Sequence, residues 1–401
     1  MYKKCRYMAL LAVAALDAQG DLFTQRVWQS PQVVAASARH EAARLRVAAS
    51  GRWADPEVEG MYSERRMPDE TNPMWELNLI QPLPRPGERA ADRDRAQAVL
   101  AITEAEWQAR ASMVAAEAAT ALAEWHAAKQ RAALLLGQRE QTERALSAVQ
   151  NRLGAGQGRI DEVLALQSRL TSLHLDIEEE SFMAAEAERA ARQVLGLDPD
   201  AALPDFSAPR PESVAVHAAP ERSALTAQQD EARAMKAMAR AAGRPMTAAG
   251  IRFEREETSG GDEDTLGIAL MTDLPWNSRR YARADMAAAD AELAEKDAAL
   301  EALERQFEAD RARARQRIDL TERTRATVRD NLERLDREYE AWVESTGTTD
   351  SMDASSVLML IDLLERRTML QMQVIDADLQ SQISQAALWR YVPLMRGEKH
   401  E

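Results

Sequence analysis

The side chains best placed to do chemistry are charged groups beside two turns. Arg152, Arg159, Asp161 and Glu162 flank the turn Gly154-Ala-Gly-Gln-Gly158, and Asp350 and Asp353 follow Ser345-Thr-Gly-Thr-Thr. Such groups are first of all solvated surface; only if repeated around a narrow passage would their carboxylates favour cations. A second set alternates along two short stretches: Asp55, Glu57, Glu59, Glu76 and Asn78 in one, Arg252, Glu254 and Glu256 in the other. No phosphate-binding loop, dinucleotide motif, nucleophile elbow or paired-histidine zinc motif occurs, so neither an enzymatic activity nor a cofactor is expected. His40, His126, His174, His217 and His400 have no metal-ligand spacing, and the lone Cys5 excludes a cysteine-based metal site. Met235, Met238 and Met246 could touch a soft metal, but packing is the simpler role.

The elements that position these groups follow from composition and pattern. The chain has 401 residues, is 45% hydrophobic but only 5% aromatic, and carries a formal charge of −15. Much of the apolar count is alanine, which with Glu, Arg, Leu and Gln points to long helices in coiled-coil packing. The acidic balance argues against nucleic acid as a partner. A mean hydropathy of −0.46 is too low for a bundle of spanning helices. A basic head precedes the apolar run Tyr7–Leu16, which reads as the core of a signal peptide over residues 1–18. Cys5 lies before that run and does not look like a lipidation site.

Two stretches break the helical pattern in the same way. In 53–84 and 247–276, alternating segments flank a polar turn, Pro68–Pro73 in the first and Thr258–Asp264 in the second. Alternation on both sides of a turn is the hairpin signal. Ala54, Val58, Tyr62, Leu77 and Leu79 share one face of the first. Ile251, Phe253, Leu266, Ile268 and Leu270 share one face of the second. Each hairpin leaves through a proline, Pro84 or Pro275, into a proline-free run of about 65 residues, over 88–153 and 279–344. At 1.5 Å per residue such a helix measures roughly 100 Å. Return helices are expected over 160–195 and 355–392. The two repeats, 19–195 and 221–401, flank a Pro-rich segment at 196–220, and their offset marks an internal duplication.

With these elements in order, the chain resembles the TolC-like family of bacterial outer-membrane efflux proteins over nearly its whole length. The match rests on Ser30-Pro31, the exits Gln81-Pro-Leu-Pro and Asp273-Leu-Pro-Trp, and Val149-Gln-Asn-Arg-Leu-Gly-Ala-Gly156 before Ile160-Asp161, together with Leu195-Gly196-Leu197. The short second return helix and lean termini are most similar to the heavy-metal efflux branch. Family members usually carry a longer segment before the first helix.

The resemblance implies a mainly α fold with a small β part: long helical coiled-coil hairpins plus two β-hairpins, giving four strands to a trimeric 12-stranded transmembrane barrel. It implies a homotrimer in contact with outer-membrane lipid, its helices in the periplasm, docked on a periplasmic adaptor and an inner-membrane pump of the RND type. Val58, Tyr62, Leu77, Leu79, Ile251, Phe253, Leu266, Ile268 and Leu270 would then face lipid. The opposite faces, with Asp55, Glu57, Glu59, Glu76, Asn78, Arg252, Glu254 and Glu256, would line the pore. Asp350, Asp353, Arg152, Arg159, Asp161 and Glu162 become candidates for the periplasmic gate. Leu153, Gly154 and Gly156 become candidates for contact with the adaptor. Independent of any resemblance, four strands cannot close a barrel, and hydrocarbon does not tolerate an open edge.

Two other readings compete. A periplasmic adaptor also carries a long helical hairpin, but only one, flanked by several β segments. A soluble coiled-coil scaffold would have no use for the alternating segments.

Overall fold

The computed structural model describes residues 22–66, 71–156, 159–258, 261–273, 275–345 and 354–394. The expected signal peptide, Gly158, Asp350, Asp353 and His400 lie outside them. A helical segment over residues 22–29, α1, ends at Ser30, whose carbonyl accepts from Val33 and Val34. Pro31 then opens α2 (Pro31–Ala49), where its missing N–H is one of the unpaired first-turn donors.

Two strands follow, β1 (Glu57–Arg66) and β2 (Thr71–Leu83), and then α3 (Glu88–Gly154) and α4 (Ile160–Leu195). The second round supplies α5 (Pro220–Ala242), β3 (Thr247–Thr258), β4 (Gly261–Thr272), α6 (Ser278–Ser345) and α7 (Ala354–Ala386). Short 3-10 turns stand at Val216–Ala218 and Ala387–Tyr391.

Both hairpins run further into their turns than the polar composition implied. Glu64 pairs with Pro73 and Arg65 with Asn72, so β2 includes residues expected in the turn. Asp262, Glu263 and Asp264 likewise pair with Glu257, Glu256 and Arg255. Cross-strand partners override the turn preference of Asp and Asn here, because each pairing satisfies backbone groups on both strands. At the other end β1 starts at Glu57, leaving Trp53, Ala54 and Asp55 outside the strand.

The chain divides into two compact units. One comprises residues 36–107 and 221–303, holding the sheet, α5 and adjoining parts of α2, α3 and α6. Its helical part is packed largely through alanines such as Ala91, Ala98, Ala234, Ala282 and Ala289, all buried. Alanine lets helix axes approach closely, and Gln229 donating to Asp297 at 2.7 Å ties α5 to α6. Gly51 takes φ +62, with its N–H bonded to Asp92 at 2.7 Å and its carbonyl accepting from Arg89 at 2.8 Å.

The other unit takes the described residues of 22–35, 108–220 and 304–394. Its core gathers Phe23, Val27, Val33, Leu122, Leu195, Phe307, Leu388 and Tyr391. Phe307 meets Tyr391 edge-on at 5.1 Å, and the Tyr391 hydroxyl donates to Asp310 at 2.9 Å. Helix α4 ends at Gly196 in the left-handed region, with the Leu197 N–H closing on the Arg192 carbonyl at 2.9 Å. A Cβ on Gly196 would lie 2.5 Å from Pro31 Cδ. Two signatures far apart in sequence, Ser30-Pro31 and Leu195-Gly196-Leu197, are thus one contact.

Candidate functional site

The four strands form one antiparallel sheet in the order β1-β2-β3-β4, so β1 and β4 are its edges. Opposed residues in an antiparallel sheet share a face, and the register therefore assigns every side chain. Val58 pairs with Leu79, Leu79 with Ile251 and Ile251 with Ile268. Leu77, Phe253 and Leu266 form the next row, and Tyr62 opposes Trp75 beyond it. Leu270 lies on the same face, opposite Ala249. This face is bare in the chain: Leu266 is 75% exposed, Ile268 91% and Leu270 76%. The Tyr62 and Trp75 rings touch at 4.8 Å, an amphipathic pair at the rim of the apolar band.

The opposite face carries Glu59 beside Asn78, Asn78 beside Arg252, and Glu76 beside Glu254. Glu57 and Glu256 share it, opposite Ile80 and Met74. Arg252 reaches Glu76 at 3.0 Å and Glu254 at 3.1 Å, and Asn78 donates to Glu76 at 2.8 Å. One cation therefore bridges two carboxylates that would otherwise repel across the strands. The face is not uniformly polar, because Met61, Met74 and Ile80 fall on it too. The apolar face in turn carries the ion pair Arg255–Asp264, at 2.7 and 3.0 Å, in the row of Tyr62 and Trp75. Sequence reasoning missed that pair, although the parity of Ile251 and Phe253 already includes Arg255.

At the turn joining α3 and α4 the four charged candidates separate into two pairs. Arg159 grips Asp161 with two bonds of 3.1 and 2.8 Å, and both side chains are largely exposed. Hydrogen bonding from Arg159 holds the Asp161 carboxyl below the usual aspartate range. Arg152 instead stands 4.0 Å from Glu162, which is only 2% exposed, and neither Glu162 oxygen has a hydrogen-bond partner among the described residues. Glu162 lies in the first turn of α4, where the helix dipole favours a negative charge. Leu153 and Gly154 close α3, and Gly156 takes φ +78 in the turn that follows. The juxtaposition expected with Asp350 and Asp353 falls outside the described residues.

The histidines serve elsewhere. His40 stacks on Trp107 at 5.6 Å, and His174 lies 3.4 Å from Glu178. Among the described residues no cluster of three His, Cys, Asp or Glu could hold a metal ion. None of their helices is long and apolar enough to cross a membrane. A residue not singled out in the sequence is Arg131 of α3, which bonds Glu180 on α4 and Asp376 on α7, each at 2.9 Å. Its guanidinium pKa lies above the ordinary arginine range: burial lowers it, but the two carboxylates more than offset that.

No family model and no curated protein matches the chain. Solved structures do. A membrane protein from Pseudomonas aeruginosa is 17% identical, with 96% of this chain and 93% of that one covered, at a TM-score of 0.72. The open-state MtrE outer membrane channel of Neisseria gonorrhoeae is 16% identical, covering 93% and 89%, at a TM-score of 0.70. CusC, whose structures were described for their transmembrane channel formation, is 12% identical, covering 93% and 91%, at 0.69. At these identities the likeness is one of fold, and the fold is that of the TolC-like channels.

Proposed function

We propose that the chain is one subunit of an outer-membrane channel, a ring of three copies that passively conducts solutes delivered from the periplasm. The observation that carries this reading is the sheet, which has one exposed apolar face and two edge strands. In hydrocarbon each unpaired backbone group costs several kcal/mol, so β1 and β4 must find partners. Bacterial barrels have at least eight strands, and three copies supply twelve. The apolar face then meets lipid, with Tyr62 and Trp75 at an interface. The face of Glu57, Glu59, Glu76, Asn78, Arg252, Glu254 and Glu256 turns to water, with Asp55 continuing it beyond the strand. The fold of MtrE and CusC, both described as channels, supports the same role.

In this reading the α3–α4 turn and its counterpart near Asp350 and Asp353 form the periplasmic end. Leu153, Gly154 and Gly156 meet the adaptor of an RND-type pump, which supplies the energy. Arg152, Arg159, Asp161, Glu162, Asp350 and Asp353 set the constriction. An acidic lining and a charge of −15 match cations, heavy metals among them.

The test is conductance of the purified protein in planar bilayers. The expected result is a cation-selective pore, with selectivity falling in the Glu57→Gln/Glu59→Gln variant and conductance rising in Asp350→Ala/Asp353→Ala. Absence of any pore, or a monomer by native mass measurement, sinks the channel. Unchanged currents in the Asp350/Asp353 variant remove only those two residues from the gate.

A further inference from the structure

Helix α4 exposes a line of apolar side chains: Ile160 at 66%, Leu164 and Leu175 at 59% and Phe182 at 61%. At 3.6 residues per turn these positions fall within about 60° of one another, over roughly 33 Å of helix. Single exposed apolar residues are ordinary, but four on one helix face, with Ser168, Thr171 and Glu178 set between them, mark a contact surface. Beside the line stand Glu178, Glu179 and Glu186, all exposed. Helix α6 offers the counterpart. Leu320 is 51% exposed, and Arg313, Arg317 and Arg323 around it are exposed as well. Arg317 and Arg323 have no ion-pair partner among the described residues.

Three bonds set the relative height of these stretches. Arg131 joins Glu180 of α4 to Asp376 of α7, and Thr321 of α6 donates to the carbonyl of Ala377, the next residue of α7, at 2.9 Å. Glu180 and Thr321 are therefore level, and so are Phe182 and Leu320. At that level residues 176–188 of α4 hold six acidic side chains and no basic one. Residues 311–325 of α6 hold six arginines and two acidic side chains. Both faces are open in the same chain, so they do not cover each other within one copy.

We infer that the acidic, apolar-striped face of α4 packs against the arginine face of α6 of the next copy, with Phe182 against Leu320. This rests on the ring proposed above. A ring needs a heterologous contact, two different patches that meet head to tail, and each copy offers one of each. The apolar line supplies the buried area. The opposed charges fix height and partner, since a slip would set like charges together.

The test uses the full chain in a Cys5→Ser background, which leaves no other cysteine. Phe182→Cys combined with Leu320→Cys should yield disulfide-linked dimers and trimers on mild oxidation, while either change alone should yield none, because a disulfide needs Cα atoms within about 7 Å. Glu179→Cys with Arg323→Cys provides a second pair at the same height. A trimer by native mass with no link from either pair overturns the α4–α6 contact and leaves the ring standing. A link formed by one cysteine alone overturns it too, because like helices would then meet. A monomer by native mass overturns the ring and this contact together. Charge reversal gives an independent readout: Glu178→Arg/Glu179→Arg should reduce the trimer fraction at least tenfold, and adding Arg317→Glu/Arg323→Glu should restore it. Failure to restore, with both variants folded by circular dichroism, counts against the pairing.

Discussion

Helices α3 and α6 arise from one repeated pattern and are nearly equal in length, 67 and 68 residues, yet they are buried in opposite ways. Between residues 111 and 128, α3 is buried on most sides: Ala111, Val114, Ala115, Ala118, Ala119, Leu122 and Ala128 are at or near zero exposure. Helix α6 is buried along a single line, Phe307, Ala314, Thr321 and Val328, at intervals of seven. A seven-residue period is the coiled-coil seam, and it leaves the rest of the helix exposed. The two rods are similar in length, and their neighbours gave them different tasks. Alanine on several faces of α3 lets chain segments pack around it, whereas arginine on the open faces of α6 awaits solvent or another copy.

Substitutions can break this contrast, and the largest effect is expected on the seam. Phe307→Ala removes a ring that is 2% exposed and rests on Tyr391, and should lower unfolding free energy in detergent by about 3–5 kcal/mol. A cost near zero would mean that α6 is not seated by this line. On α3 the sensitive change is enlargement. Ala119→Leu overpacks a site with no exposure and should cost about 3 kcal/mol, whereas Ala312→Leu on an exposed face of α6 should stay within about 0.5 kcal/mol. Equal costs in the same denaturation assay would erase the distinction between the two helices.

The return helices differ as well. Helix α4 stops at Gly196 with φ +63, but α7 passes from Ala386 directly into a 3-10 turn. Gly196→Ala should therefore cost about 2 kcal/mol, through backbone strain and a clash with Pro31, measured as a lowered unfolding midpoint.

The smallest effect belongs to Asp161. Its folded-state pKa is depressed, so its contribution is present above the ordinary aspartate pKa of about 3.9 and is lost as pH falls through the lower folded value. Asp161→Asn should be slightly less stable than the parent near neutral pH and indistinguishable from it near pH 2. A gap that widens on acidification would contradict the ion pair with Arg159.

The parts of this fold that were legible in the sequence share one property: the signal is local. Alternation at period two sorted Val58, Leu77, Ile251 and Leu266 from Glu59, Glu76 and Glu254 without any knowledge of pairing. Proline at 84 and 275 and the long runs without proline marked where helices begin. Turn composition misled at Pro73 and Asp262–Asp264, since a cross-strand partner outweighs a local turn preference. At the α3–α4 turn the charged residues were visible as a group. Their separation into an exposed Arg159–Asp161 pair and a buried Glu162 beside Arg152 was not, because burial depends on what packs against α4.

By itself, then, the sequence determined the order of elements and the two faces of the sheet. Tertiary structure alone decided that Ser30-Pro31 closes on Gly196, that Arg131 holds three helices, and that α3 rather than α6 is enclosed. The reason is range. Backbone periodicity and turn chemistry act over a few residues, whereas the contacts of Pro31 with Gly196 and of Arg131 with Glu180 and Asp376 join residues far apart in the chain.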